Sequence, residues 1–289
     1  MEKKGKGINE KNAAVGGNSG RVGNVRYYTR GDRTYTRTAS CDAKNPRTAK
    51  QQMLRAKMGN AVGTWNCVKD CVREYFERAS KAVTPYNVFM RRAMQGTPIY
   101  LAKKEHYSKL IAAPYCVSEG SLPMIRYDWK DGRIVSNISL GEGFVVDENT
   151  TVVDFVNAVK KENEGFQEND ELVFIGVLQL LDENSTFIKV ECAKIGLDGT
   201  VEGHNVSMTT ELHDVVDNMG FESADGMLST VENPFAGCYA WIHVRRDRLT
   251  GEVVSSSTQE LFNANGDVVA EYSSEEAFNR VYDSYGKKK

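Results

Sequence analysis

The sequence predicts an α+β fold, and three observations support this prediction. Two β-prone runs near the N-terminus are separated by a turn at residues 30–33. Residues 46–95 favour helix and carry apolar side chains at helical spacing. From about Leu122 onward, short apolar runs alternate with turns rich in Gly, Asp and Asn. The expected order is therefore an N-terminal arm and β-hairpin, a helical hairpin and an antiparallel β-rich region.

The first element, residues 1–20, is predicted to be a flexible basic arm. The segment is polar, and Gly16, Gly17 and Gly20 disfavour a stable helix because glycine loses more backbone entropy on folding than other residues. By itself the arm has too few apolar side chains to form a core.

Residues 21–39 are expected to form a β-hairpin. Val22, Val25, Tyr27 and Tyr35 supply β-branched and aromatic side chains, which favour strands. An isolated two-stranded hairpin is only marginally stable in water. We therefore expect this hairpin to lie on another surface.

The helical hairpin is predicted from its start and stop signals. Asn45 suits the N-cap of a helix and Pro46 suits its first helical position. A second helix is expected to begin at Pro85 and to end before Gly96.

The β-rich region is predicted from alternating patterns and tight turns, such as the one at Asp131 and Gly132. Short strands of this kind favour an antiparallel, immunoglobulin-like sandwich. The expected strands are residues 124–129, 133–139, 172–181, 187–193, 239–244 and 252–262. Two short helices are also expected, at residues 150–159 with Thr150 or Thr151 as the cap, and at residues 273–285 with Ser274 as the cap.

The charge distribution divides the chain. It contains 37 Lys and Arg against 39 Asp and Glu, a formal net charge of −2. Residues 1–113 carry 23 basic and 8 acidic side chains, net +15, which leaves residues 114–289 at net −17. We therefore predict an arm (1–20), a basic hairpin and helical module (21–113) and an acidic β-rich domain (114–289). Opposite charges favour head-to-tail association, so we expect a homo-oligomer, a ring where the contact closes.

Several classes of protein are disfavoured by composition. No apolar run approaches the roughly 18–20 residues of a membrane helix, so no membrane span is expected. Residues 1–12 lack the apolar segment of a secretory signal, which favours a protein that stays in the cytoplasm. The six scattered cysteines suit a reducing compartment, and we expect free thiols.

Motifs for chemistry are sparse. Cys67 and Cys71 would share a helix face, but a zinc site needs about four ligands and no second close pair follows. The sequence contains no G-x-S-x-G, H-E-x-x-H or phosphate-loop motif. The carboxylates of the acidic half fall mostly in turns, where a solvated loop is the simpler interpretation. We therefore expect no metal, no cofactor and no enzymatic activity. A hydrolase remains an alternative if folding brings Glu, Asp, Cys and His together.

The basic half contains the candidate contact residues, which interleave arginine with tyrosine. These residue types are enriched at protein interfaces, and the same types suit the phosphates and stacked bases of nucleic acid. They are distributed over several elements, so no single patch is predicted, and an ordinary solvated surface is a third interpretation. The candidates are Arg21, Arg26, Tyr27, Tyr28, Arg30, Arg33, Tyr35, Arg37, Arg47 and Arg55.

Two N-terminal motifs carry a family resemblance. Residues 20–25 read G-x-x-G-x-V, and residues 45–55 read N-P-R-T-x-x-Q-x-x-x-R. With Trp65, residues 86–90, residues 241–245 and residues 255–262, they cover about a third of the chain. This set resembles uncharacterised proteins of Bacteroidetes and their phages, which pair such a hairpin with such a helix start.

The resemblance implies a structural protein of a tailed, crAss-like phage virion, assembled in the cytoplasm of the host bacterium. It implies other virion proteins as partners, in a head–tail connector ring, a tail or an auxiliary capsid component. The alternative is a nucleic-acid-binding module that uses the same arginines and tyrosines. No catalytic residue is implied by the family.

Overall fold

The computed structural model divides the chain into two compact units, residues 1–47 with 78–84, and residues 48–77 with 85–289. It describes residues 20–30, 33–38, 48–77, 83–182, 185–202, 207, 209–216, 221–247 and 249–285. Of the predicted features, the arm up to residue 19, the N-cap Asn45, Pro46 and Arg47 lie outside the described residues. The α+β class is confirmed, with a helical hairpin and several antiparallel sheets.

The first unit contains an antiparallel meander of three strands where two were expected. Its strands are β1 (Gly20–Val22), β2 (Val25–Arg30) and β3 (Arg33–Thr38), in the order β1-β2-β3. The additional strand β1 follows from the turn at residues 23–24, where Gly23 has a φ of 56° that favours glycine. We use the name meander for residues 20–38.

The second unit contains all other described elements. In chain order these are α1 (Ala49–Val72), α2 (Pro85–Gln95), β4 (Cys116–Ser118), β5 (Tyr127–Lys130), β6 (Arg133–Ser139), α3 (Val152–Glu162), β7 (Asp170–Leu181), β8 (Thr186–Gly196), α4 (Leu212–Val216), β9 (Phe221–Ala224), β10 (Met227–Thr230), β11 (Gly237–Arg246), β12 (Val253–Ser255), β13 (Gln259–Glu260), β14 (Phe262–Asn263), α5 (Gly266–Ser273) and α6 (Glu275–Tyr282). Short 3₁₀ turns occur at Arg73–Tyr75, Glu105–Tyr107 and Asp283–Tyr285. None of the described helices is long and apolar enough to cross a membrane.

The first helix begins at Ala49, later than predicted. Thr48 is its N-cap, because its backbone is extended and its side chain accepts a hydrogen bond from the backbone N–H of Gln51. The expected cap, Asn45, lies outside the described residues. Asparagine and threonine can both cap a helix, so the residue preference alone does not decide between them.

The other caps follow the sequence closely. Thr151 caps α3 in a capping box with Asp154, and its hydroxyl accepts from the Asp154 N–H at 3.1 Å. The hydroxyl of Ser274 accepts from the backbone N–H of Ala277 at the start of α6. Helix α5 was not predicted, and its N-cap residue Asn265 makes no capping side-chain bond.

The strands of the second unit form three antiparallel sheets. The larger ones have the orders β12-β11-β7-β8, with β14 also paired to β11, and β5-β6-β10-β9; β13 pairs with β4. The expected strand at residues 252–262 is split into β12, β13 and β14; β12 and β14 both pair with β11, and β13 pairs with β4. Thr258, with a φ of 51°, lies between the first two and redirects the chain.

The central sheet formed by β12, β11, β7 and β8 is covered on both faces. On one face, Phe174 and Trp241 belong to a core with α3 and the strands β6, β9 and β10. On the other face, Lys194 of β8 lies over the ring of Tyr75, and the Ser255 hydroxyl donates to the Tyr75 carbonyl. The immunoglobulin-like sandwich is therefore not confirmed, because the end of α1 and its 3₁₀ turn cover the face that would otherwise meet solvent.

Buried side-chain amides hold the irregular segment between α2 and β5. The Asn60 amide accepts from the backbone N–H of Ile111 at 2.8 Å and donates to the Ile111 carbonyl at 2.9 Å. A buried backbone without strand or helix partners needs such substitutes. The equivalent pairs are Gln179 with Ala112 and Leu110, and Gln259 with Ile125.

Candidate binding face of the N-terminal meander

The strand register gathers the arginines of the meander into rows. Arg26 pairs with Arg37, and Arg21 pairs with Arg26 on the other side. Tyr28 pairs with Tyr35 two positions farther along. Paired residues in an antiparallel sheet share a face, as do residues two positions apart in a strand. An arginine row and a tyrosine row therefore lie side by side on one face.

A second row of arginine positions follows on the far side of the tyrosines, where Arg30 pairs with Arg33. We call this surface the arginine–tyrosine face and define it by the side chains of Arg21, Arg26, Tyr28, Arg33, Tyr35 and Arg37.

The two tyrosines form a stacked pair at the middle of this face. Their ring centroids are 5.5 Å apart with an interplanar angle of 19°. Tyr28 is 42% exposed and Tyr35 is 38% exposed, so the pair is accessible although it is stacked. The guanidinium carbon of Arg37 lies 5.8 Å from the Tyr28 ring centroid, within cation–π range. The face thus presents aromatic surface beside positive charge.

The electrostatics of the face are unbalanced. The described strands of the meander contain no Asp or Glu, and like charges directly opposite one another destabilise a sheet. Within the described residues, Arg26, Arg33 and Arg37 form no ion pair with a carboxylate. Arg21 donates from Nε to the Gly23 carbonyl. An anionic partner would relieve the repulsion between these rows.

The opposite face of the meander has a different character. Tyr27 pairs with Gly20 and Thr36, and Val22 pairs with Val25. Val22 is 44% exposed and Val25 is 38% exposed. This face is therefore weakly apolar and carries no charged side chain at its paired positions.

The structure groups seven of the ten candidate contact residues and separates two, and one lies outside the described residues. Tyr27 lies on the opposite face from the other tyrosines. Arg55 lies on α1 in the second unit, and Arg47 is outside the described residues. The grouped candidates are Arg21, Arg26, Tyr28, Arg30 by its register position, Arg33, Tyr35 and Arg37. The sequence alone predicts no single patch, whereas the strand register places these positions on one face of the meander.

A signal for this patch was present in the sequence. Residues 26, 28 and 30 read Arg-x-Tyr-x-Arg, and residues 33, 35 and 37 repeat the pattern across the turn. A period of two places each triplet on one side of its strand, and a two-residue turn brings the triplets into register.

The second unit contains one buried ionic cluster that resembles part of a hydrolytic site. The carboxylate of Asp170 accepts from His243 Nε2 at 2.6 Å and from Arg245 at 2.6 and 2.8 Å. Burial of Asp170 raises its pKa, but the hydrogen bonds from Arg245 and His243 outweigh burial and hold the pKa at about 2. The Ser256 hydroxyl contacts the backbone of His243 and not its ring. The cluster joins β7 to β11 and lacks the serine–imidazole contact of a catalytic triad.

The cysteines of the described part are free thiols. Cys71 is hydrogen-bonded to Cys192, which lowers the pKa of the Cys71 thiol against the effect of burial. Burial raises the pKa of Cys116 to about 12. Among the described residues, no three His, Cys, Asp or Glu side chains converge as metal ligands.

A charged cavity of about 460 Å³ lies beside the Cys71–Cys192 pair. Lys194 Nζ lies 2.9 Å from Glu74 and 2.8 Å from Glu202. Arg246 contacts Glu74 and Glu171 in the same way. Three carboxylates face two basic groups, so the cavity offers no free positive charge for an anionic ligand.

The arginine–tyrosine face differs from both the Asp170 cluster and the charged cavity because its charges are not compensated by described carboxylates.

Comparisons of the chain with family models, with curated proteins and with solved structures find no match.

Proposed function

We propose that the chain is a structural and assembly protein of a phage virion in which the meander is the docking element. The observation that carries this proposal is that both faces of the meander are accessible to a partner. A sheet this small needs a covered apolar face or a packed helix for independent stability. Its apolar side chains, Val22 and Val25, remain substantially exposed.

The second unit has the properties of a scaffold for such an element. The central sheet is covered on both faces, and its main strands β7 and β11 are buried along most of their length. Many of its carboxylates are engaged by basic groups of the same unit, among them Glu74, Glu105, Glu119, Asp170, Glu171 and Glu222. A self-contained unit with a doubly covered central sheet suits a component that is built into a larger assembly.

The family resemblance supports the virion as the site of action. The proposed place is a head–tail connector ring, a tail or an auxiliary capsid component, assembled in the cytoplasm of the host bacterium. The opposite net charges of residues 1–113 and 114–289 support association of several copies.

Mass spectrometry of purified virions tests this proposal. We expect peptides of the chain in particles that survive density-gradient purification, with a copy number that matches a ring or a shell. Absence of these peptides from particles, with their presence in the infected-cell lysate, would overturn the proposal.

Sedimentation of the purified full chain tests the association of copies. We expect complexes at low salt that dissociate as salt is raised, because screening weakens long-range attraction. A monomer at every salt and protein concentration would contradict the homo-oligomer.

A further inference from the structure

We propose that the arginine–tyrosine face binds single-stranded nucleic acid. This inference rests on the proposed role of the meander as the docking element, and it names the partner of that element. It follows from three properties of the face: the spacing of its arginine rows, the exposed tyrosine pair between them, and the lack of described carboxylates.

The arginine rows suit a phosphate backbone. Arg26 and Arg37 lie across from one another, and strands in a sheet are about 4.8 Å apart. Arg33 lies four positions from Arg37 along β3, which corresponds to about 13 Å. Guanidinium groups bind phosphate oxygens in a bidentate manner, and their charge is never lost near neutral pH. A chain of phosphates that runs along the strands would meet one row after the other.

The tyrosine pair suits unpaired bases. Tyr28 and Tyr35 lie between the arginine rows, about 6.6 Å from each along the strand. Exposed aromatic rings on a sheet, flanked by basic side chains, are a common platform on which successive bases stack. Bases in a duplex are already stacked on their neighbours, so this surface favours a single strand over a duplex.

An acidic protein surface fits the face less well. It would supply carboxylates for the arginines but no planar groups for the tyrosines. The acidic half of a second copy is the nearest protein candidate, and many of its carboxylates are already engaged. Glu119, for example, lies 2.6 Å from Arg91 and 2.5 Å from Arg92 of its own chain.

Fluorescence anisotropy with the purified full chain tests the inference. The probes are a labelled oligothymidylate, an RNA of the same length and mixed sequence, and a DNA duplex. Each is about 20 nucleotides long, which exceeds the usual site size of about 4–16 nucleotides. Binding is measured over a series of salt concentrations.

Three pairs of substitutions separate charge from stacking. R26Q/R37Q removes one arginine row, and Y28A/Y35A removes the aromatic pair while Y28F/Y35F retains it. The matched control is R126Q/K130Q, which removes the same charge from exposed positions of the second unit. Circular dichroism of each variant verifies that the fold is retained.

We expect salt-dependent binding of the single strands. R26Q/R37Q should weaken it by about tenfold or more for each lost contact and should reduce the salt slope by about 1.4. Y28A/Y35A should weaken it by at least about fivefold, since stacking contributes measurably per base. Y28F/Y35F and the control should bind like the wild type within about twofold.

Other outcomes overturn the inference and leave the proposed function separately testable. Equal affinity for the duplex, with no effect of Y28A/Y35A, would overturn binding to a single strand. Absence of nucleic-acid binding, with self-association that R26Q/R37Q abolishes, would replace nucleic acid by a second copy and retain the docking role. Absence of both, in a chain that is present in virions, would contradict the docking role of the meander.

Discussion

The two units stabilise their β-sheets in opposite ways. The central sheet of the second unit is buried on both faces, whereas the meander presents substantial exposed surface on both faces. In the central sheet, the sequences of β7 and β11 are nearly continuous apolar runs, as expected for strands that are covered on both faces. The strands of the meander alternate arginine and tyrosine with threonine and valine. Alternation can therefore accompany a sheet that is exposed on both faces, as well as a boundary between core and solvent.

The two units also treat charge in opposite ways. In the second unit, Asp170 is buried and each of its carboxylate oxygens is hydrogen-bonded. In the meander, Arg26 faces Arg37 with no described carboxylate between them. The buried carboxylate of the second unit is thus paired within the chain, whereas the facing arginines of the meander have no described carboxylate as a partner.

The largest expected effect comes from the doubly covered sheet. Trp241 is 1% exposed and contacts Tyr127 and Phe221 with centroid distances of 5.3 and 5.9 Å. Trp241→Ala should lower the free energy of unfolding of the second unit by about 4–5 kcal/mol, because it leaves a cavity in the core. Urea denaturation measures this loss. As a control, Tyr35→Ala in the meander should change the same transition little, and equal losses would remove the contrast between the units.

The next effect concerns the buried carboxylate. Asp170→Asn keeps the shape of the side chain but removes the charge that Arg245 and His243 contact. We expect a loss of about 3 kcal/mol in the free energy of unfolding, because one partner of a buried pair then lacks compensation. Thermal and urea unfolding at neutral pH test this. Wild-type stability in the variant would show that the cluster contributes no net stability.

The pH dependence of stability follows from the same group. The pKa of Asp170 is about 2 in the folded state, below the ordinary value of 3.8. The ionised carboxylate contributes about 2 kcal/mol to the free energy of unfolding. This contribution is fully present above about pH 4 and is lost as the pH falls through about 2. The difference in unfolding free energy between the wild type and Asp170→Asn should therefore shrink between pH 4 and pH 2. A constant difference over this range would contradict the lowered pKa.

The smallest effect is expected in the meander. R26Q/R37Q changes two exposed side chains of the first unit and removes two like charges that face one another. The free energy of unfolding of the second unit should therefore change by less than about 0.5 kcal/mol. The same variant should have the largest effect on binding. Urea denaturation of the full chain provides the test, and a loss of several kcal/mol would mean that the row has a structural role.

Local signals explain which parts of the fold could be predicted. The start of α3 could be predicted to within one residue, with Thr150 or Thr151 as the cap, because threonine favours the N-cap position; the structure shows Thr151 in that role. The hairpin of β5 and β6 could be predicted because an Asp-Gly pair favours a tight turn. In the structure, Asp131 and Gly132 both adopt the positive φ values of such a turn, 47° and 76°.

Features that depend on distant contacts could not be predicted in this way. The cover of the central sheet by the end of α1 depends on packing between segments that are far apart in the sequence. The sequence predicted Asn45 as the cap of α1, and the folded backbone was needed to show Thr48 in that role. The arginine–tyrosine face could be predicted only in part. Its Arg-x-Tyr-x-Arg pattern is visible in the sequence, but the grouping of the side chains on one face depends on the register of the pairs Arg26–Arg37 and Tyr28–Tyr35.

The buried amides have a consequence for the order in which the chain folds during synthesis. Asn60 and Ile111 are 51 residues apart, Ala112 and Gln179 are 67 apart, and Ile125 and Gln259 are 134 apart. The last of these bonds cannot form until most of the chain has left the ribosome, and contacts of long sequence separation form late because closing their loops costs entropy. The nascent segment around Ile125 therefore lacks this native partner until residue 259 has been synthesised, and its unpaired backbone groups are open to chaperones over that interval.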